Sequence, residues 1–195
     1  ADHQPGGAAA QERAARDPAR GKVELLFNPF YQVADNTGSV WIARARWAED
    51  TLLLNGDTLV SPALIAAVLA NPAPISVTVD RKADYDADDM KVLREGDQLL
   101  RIGKALTKCN AESIGLLAFR GPGRQSFVDA VDKVMQSPDG VRVWYLSVID
   151  ALAADQAIDT TDIHGQDWQE VDYPADLDAA RALTARWAGA AWAGR

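Results

Sequence analysis

The stretch LLLNGDTLV, residues 52–60, decides how the chain is read. Three consecutive leucines without polar alternation describe a strand covered on both faces, the habit of parallel sheets in α/β domains. Asn55-Gly56 breaks the run and Asp57 follows directly. In α/β sheets ligands bind beyond the carboxyl ends of the strands, so an acid in this place is aimed at a site. An aspartate there also suits a turn or the cap of a following helix.

Working outward, Ser61-Pro62 is an N-cap and first-turn pair that starts a helix over PALIAAVLA (62–70), and ISVTV (75–79) is a further strand. Upstream, VELLF (23–27) reads as a strand ended by Asn28-Pro29, and SVWIARARWA (39–48) as a helix with Val40, Ala43 and Trp47 along one stripe. This β-α-β-α-β rhythm predicts a three-layer α/β domain, with a mostly parallel sheet and helices on both faces. MKVLREGDQLLRIGK (90–104) adds a β-hairpin insertion around Glu95-Gly96-Asp97. SIGLLAF (113–119) is another buried strand, and SFVDAVDKVMQ (126–136) and WYLSVIDALAA (144–154) are amphipathic helices. The final segment from Trp168 reads as a strand, a turn at Pro174 and a helix. Residues 1–22 carry no large apolar residue and read as a flexible tail, which leaves 23–188 as the domain and 189–195 as a C-terminal tail.

A chain of 195 residues that is 48% hydrophobic can bury one substantial core. Its net charge of -8 argues against a surface that neutralises a nucleic-acid backbone. Cys109 is the single cysteine, so there is neither an intrachain disulfide nor a cysteine-based zinc site, and a reducing, cytoplasmic setting is expected. No run approaches the roughly 18 apolar residues of a membrane span. Residues 150–178 hold nine acids and no lysine or arginine, which places most of the net charge there and predicts a solvated acidic surface. Within that segment Glu170 and Asp172 share one face of a short strand by the two-residue period. Converging with Asp57, such carboxylates would bind a hard cation such as Mg²⁺.

FNPFYQVADNTGSVWIA (27–43), LLLNGDTLVSP (52–62), DDMKVLREGDQLLRIGKAL (88–106), AESIGLLAF (111–119) and WQEVDYPADLDAA (168–180) follow one another as do corresponding blocks of a known family. In that order they resemble the nucleotidyltransferases that activate sugar phosphates and phosphocholine, above all the bacterial phosphocholine and phosphonate cytidylyltransferase-like group. The resemblance covers residues 23 to 185 and lies in the ordered set rather than in any one block. It implies Mg²⁺ on Asp57 and Asp172, and Lys104 of the IGK block as the catalytic lysine that meets the phosphate of the incoming substrate. Asn36 and Ser39 fall in the family's asparagine-and-serine loop pattern, and the residues expected to meet substrate are Asn36, Ser39, Glu112, Trp144 and Tyr145. On the residues alone, Asp35-Asn36 is an Asn-containing turn capping the next helix and Lys104 a surface lysine after a strand. Trp144, Tyr145 and Trp168 suit either a core or, with the acids, a pocket for a choline-like or amino cation.

The implied reaction is nucleotidyl transfer from a nucleoside triphosphate, CTP by resemblance, to phosphocholine, a phosphonate or a sugar phosphate, with release of pyrophosphate. Family members open with a strand and a glycine-rich loop that cradles the triphosphate, and no such segment is readable here; Gly6-Gly7 runs into alanines. A truncated frame, an excerpt or a degenerate copy is therefore expected, with a sheet edge left exposed. The alternatives are an inactive or regulatory remnant and a metal-dependent glycosyltransferase. The expected partners are a nucleoside triphosphate and a small phosphorylated substrate.

Overall fold

The computed structural model describes residues 23–193, and the tail read over residues 1–22 lies outside them. Its spine is a long apolar strand near the middle of the chain. In chain order the strands are β1 (Asp50–Leu54), β2 (Thr58–Val60), β3 (Ile75–Asp80), β4 (Lys91–Glu95), β5 (Gln98–Ile102), β6 (Ala111–Arg120), β7 (Asp159–Asp162) and β8 (Trp168–Glu170). β6 pairs antiparallel with β1 on one side, from Asp50↔Arg120 to Leu54↔Leu116, and with β3 on the other. β3 pairs parallel with β7. The β4–β5 hairpin, turned at Gly96 with φ 56°, joins β7 through β5 and returns to β6 through β4.

The expected three-layer, mostly parallel sheet is thus corrected to a mixed one. β3–β7 is its parallel pair, and β6, β3, β7, β5 and β4 close into a ring with β1 flanking it. The apolar runs report two-sided burial rather than strand direction. Leu117 and Phe119 of β6 join Ile75, Val77 and Val79 in one cluster, whereas Leu116 and Ala118 point to the other, with Ile114 and Ile163. On the first side the helices are α1 (Asn36–Ala43), α3 (Gly121–Met135) and α4 (Tyr145–Ala153), contributing Val40, Phe127, Val131 and Ile149. On the second lies α2 (Pro62–Ala70), contributing Leu64 and Val68. Ser61 caps α2 as its sequence predicts, its Oγ accepting the Leu64 N–H at 3.1 Å.

Other expectations shift. VELLF forms no strand: residues 23–28 pair with nothing regular, and Val23, Leu25, Leu26 and Phe27 are exposed. Among the described residues the outer edge of β1 has no partner strand, and Leu52 and Leu54 stand exposed on it. The helix expected from Ser39 begins at Asn36, and a 3₁₀ turn follows over Arg44–Arg46. The last helix, α5, covers Asp176–Ala193 and so runs past residue 188. β7, sequence DTTD, falls inside the segment read as a solvated acidic surface, yet its Thr160 is buried. No helix among the described residues is long and apolar enough to cross a membrane.

Apart from the main sheet, β2 and β8 form a two-stranded antiparallel ribbon, Thr58↔Glu170 to Val60↔Trp168. This ribbon joins the LLLNGD segment to the acidic C-terminal one.

Candidate functional site

Asp57 stands where its sequence places it, in the turn between β1 and β2. The turn is held by the Thr58 N–H on the Asn55 carbonyl at 3.4 Å and by the Asn55 N–H on the Gly115 carbonyl at 2.9 Å. The Val171 N–H donates to the Asp57 carbonyl at 2.9 Å, extending the ribbon just beyond Glu170. The consequence is a cluster: carboxylate oxygens of Asp57, Glu170 and Asp172 lie within 4.8 Å of one another, all on exposed residues. No lysine, arginine or histidine among the described residues forms an ion pair with any of them, although twelve such pairs occur elsewhere. Partial desolvation of the carboxyl, then the charges of Asp172 and Asp57, push Glu170 above the usual carboxylate range, against the pull of Lys104.

An all-oxygen, all-carboxylate donor set fits Mg²⁺, which prefers hard oxygen ligands and retains water positions for phosphate oxygens. Glu170 belongs to this set together with Asp57 and Asp172, the pair that the family resemblance names. Its signal in the sequence was the two-residue spacing to Asp172.

The cluster borders a cavity of about 700 Å³ whose lining includes Glu170, Asp172, Asn55, Lys104, Glu112 and Trp144. Lys104 Nζ lies 4.7 Å from the centroid of the Trp144 ring and 4.0 Å from Asp88. Its loop is stapled from beneath, with the buried Lys91 ammonium on the Lys104 carbonyl and the Gly103 N–H on the Lys91 carbonyl, both at 2.9 Å. The indole N–H of Trp144 donates to Asp35 at 2.7 Å, so Asp35, the residue before α1, makes no side-chain cap to its helix. Glu112, buried at the start of β6, is spoken for by Lys82 at 2.8 Å; burial pushes its carboxyl up against the pull of that lysine. Lys82 also holds Asp89 at 2.7 Å, and these two acids keep its ammonium well above the ordinary range although burial works the other way.

The remaining sequence candidates divide. Asn36 lines the cavity and its Oδ1 accepts the Tyr145 N–H at 3.0 Å. Ser39 is exposed, lies outside the lining residues and accepts from Asn28 Nδ2 at 3.0 Å. Tyr145 is 1% exposed and faces the core; its hydroxyl donates to Asn55 Oδ1 at 2.8 Å. Asp86, Asp88 and Asp89 of the run DYDADD also line the cavity, and sequence reasoning passed over them. Asn55 was passed over as well, though it sits inside the opening motif.

The inositol-1-phosphate CTP transferase of T. maritima matches 94% of this chain and 74% of its own at a TM-score of 0.74 with 17% identity. The CTP:phosphocholine cytidylyltransferase of Streptococcus pneumoniae matches 89% and 74% at 0.67 with 15% identity. The chain has the cytidylyltransferase fold. A curated relative, the CMP-5'-(3-aminopropyl)phosphonate synthase of Streptomyces rubellomurinus, is 28% identical over 181 residues and 86% of this chain. The cytidylyltransferase-like chain spans 28% of that relative's length. No protein-family model matches the chain. The resemblance to nucleotidyltransferases that carry the blocks quoted above is met by these relatives.

Proposed function

We propose that the chain acts in nucleotidyl transfer from CTP to a small substrate bearing a phosphate or phosphonate, with release of pyrophosphate. The observation that carries this is the cluster of Asp57, Glu170 and Asp172, with no ion-paired cation among the described residues, bordering a cavity that also presents Lys104. In the reaction a phosphoryl oxygen attacks the α-phosphorus, the new P–O bond forms as the α–β bridge breaks, and pyrophosphate departs with the bonding pair. Two anions must approach each other, so the demand on the site is charge neutralisation and alignment.

Asp57, Glu170 and Asp172 would hold Mg²⁺, which when bound supplies charge neutralisation at the triphosphate. Lys104 would hold the attacking phosphate, its ammonium kept in place by the Lys91 staple and the face of Trp144. No residue needs to form a covalent intermediate. Asp86 and Asp88, the latter 4.0 Å from Lys104, also line the cavity, and their negative charge favours a substrate whose other end is an amine or quaternary ammonium. The aminopropylphosphonate and phosphocholine in the names of two relatives have that character.

The test is pyrophosphate release by the purified chain with Mg²⁺, each of four nucleoside triphosphates, and phosphocholine, 3-aminopropylphosphonate, inositol 1-phosphate or glucose 1-phosphate. Release that requires CTP together with an aminated partner is expected. A folded chain that binds no nucleotide and releases nothing across the panel would reduce it to a remnant, and turnover of a nucleotide sugar instead would make it a glycosyltransferase.

A further inference from the structure

Asn55 is a polar side chain of the opening motif left without a role in the proposed reaction, and both ends of its amide are engaged. Its Oδ1 accepts from the hydroxyl of Tyr145, a residue 1% exposed and rooted in the first core cluster. On the other side its amide lies against the bare Cα of Gly115. A Cβ built there would come within 2.4 Å of Asn55 Nδ2 and 2.6 Å of its Cγ, and Gly115 has φ 73°. Its backbone N–H donates to the Gly115 carbonyl and its carbonyl accepts from Thr58. Asn55 is therefore gripped from β6 and from α4, while Asp57 lies two residues on, and among the described residues its carboxylate meets only the Thr58 hydroxyl, at 3.5 Å, a group that lies closer to the Ile114 carbonyl at 3.2 Å.

We propose that Asn55 is a positioning residue, locked between the Tyr145 hydroxyl and Gly115, that fixes the turn presenting Asp57 to Glu170 and Asp172. The three carboxylates repel one another, so without a rigid turn Asp57 would swing toward solvent and the cluster would open. The core thereby aligns the cation site through one side-chain amide. Glycine at residue 115 is required because the amide takes the space of a side chain. The proposal rests on the metal reading of the acidic cluster, and its test separates the two.

The experiment uses the full chain and two readouts: hydrogen exchange at the Val171 amide, whose acceptor is the Asp57 carbonyl, and the affinity for Mn²⁺ measured by its paramagnetic signal. Tyr145→Phe keeps the ring in the core and removes only the hydroxyl; Asn55→Ala removes the amide. Both are expected to speed Val171 exchange, and to weaken Mn²⁺ binding about 10-fold, the lower end for outer partners of metal ligands. Gly115→Ala should also weaken Mn²⁺ binding, through the displaced amide and through the strain a Cβ meets at φ 73°. Unchanged Val171 exchange and Mn²⁺ affinity in folded Tyr145→Phe and Asn55→Ala would overturn the positioning role. Faster Val171 exchange in a chain whose parent binds no Mn²⁺ would uphold the positioning and sink the metal reading instead.

Discussion

Two groups of acids around one cavity have opposite fates. Asp89 and Glu112 share Lys82, at 2.7 and 2.8 Å, and their side chains are 12% and 10% exposed. Asp57, Glu170 and Asp172 converge to within 4.8 Å with no ion-paired base among the described residues. The first group is neutral enough to be buried and serves to hold the 81–90 loop onto β6. The second remains in water because three like charges cannot be buried unpaired. The difference teaches that charge left uncompensated by the fold, rather than acidity as such, marks where an external cation belongs.

The sharpest way to break this contrast is at Asp172. Asp172→Ala should leave the thermal midpoint nearly unchanged, since Asp172 is exposed, while lowering Mg²⁺-dependent pyrophosphate release on the order of 10³-fold, about 4 kcal/mol of barrier. Equal losses of stability and activity would show that the open cluster is structural after all.

The paired group should answer in the opposite sense. Lys82→Met leaves two largely buried carboxylates facing each other. The penalty for stranding a fully buried charge is about 3–5 kcal/mol, and because Lys82 is itself 38% exposed the expected loss is about 2 kcal/mol. Thermal unfolding would read this as a midpoint lower by about 4–8 °C for a chain of this size. An unaltered midpoint would mean that water already screens the group and that it differs little from the open one.

Asp162 extends the paired class to the carboxyl end of β7. Burial works against its ionisation, but the His164 N–H and the guanidiniums of Arg94 and Arg81 win and hold its carboxyl below the usual range. A carboxylate lowered in the folded state stabilises above its unfolded pKa, about 3.9, and that contribution disappears as pH falls through and below that value. Asp162→Asn should therefore cost on the order of 1 kcal/mol at pH 7, with the gap to the parent closing toward pH 3 in urea titrations. A gap that is constant with pH would assign the effect to packing.

How far these roles could be read beforehand depends on the range of the interactions. Local chemistry was legible: the Ser61-Pro62 cap, the hairpin at Gly96, and Asp57 after an apolar run all stand where the residues put them. Strand direction was not, because Leu116 and Leu117 are apolar for the helices on either face whichever way their neighbours run. β7 was invisible because Thr160 and Thr161 are polar, and VELLF was misread because a strand needs a partner as well as a propensity. In the site, the two-residue spacing exposed Glu170 beside Asp172. By contrast, the turning of Tyr145 onto Asn55, of Trp144 onto Asp35 and of Ser39 onto Asn28 are contacts that leave no periodic trace.

The smallest effect is the most discriminating in sign. Glu170 is raised by desolvation and by two neighbouring acids, so without metal its ionised form opposes folding, and stability should rise as pH falls through its titration. Glu170→Gln removes that repulsion. Because the residue is exposed and screened, the gain at pH 7 is only a few tenths of a kcal/mol. Saturating Mg²⁺ should invert the order, since a bound cation stabilises the parent by RT ln(1 + [L]/Kd) and the variant binds it less tightly. Asp89→Asn, taken from the paired group, should lower stability with and without Mg²⁺ by the same amount. The burial of the Asp89 carboxyl is outweighed by Lys82 and the Asp86 N–H, which hold it below the ordinary range, so its ionised form favours folding. A parent whose midpoint does not respond to Mg²⁺, with both variants shifted in one direction, would mean that the two groups differ only in exposure.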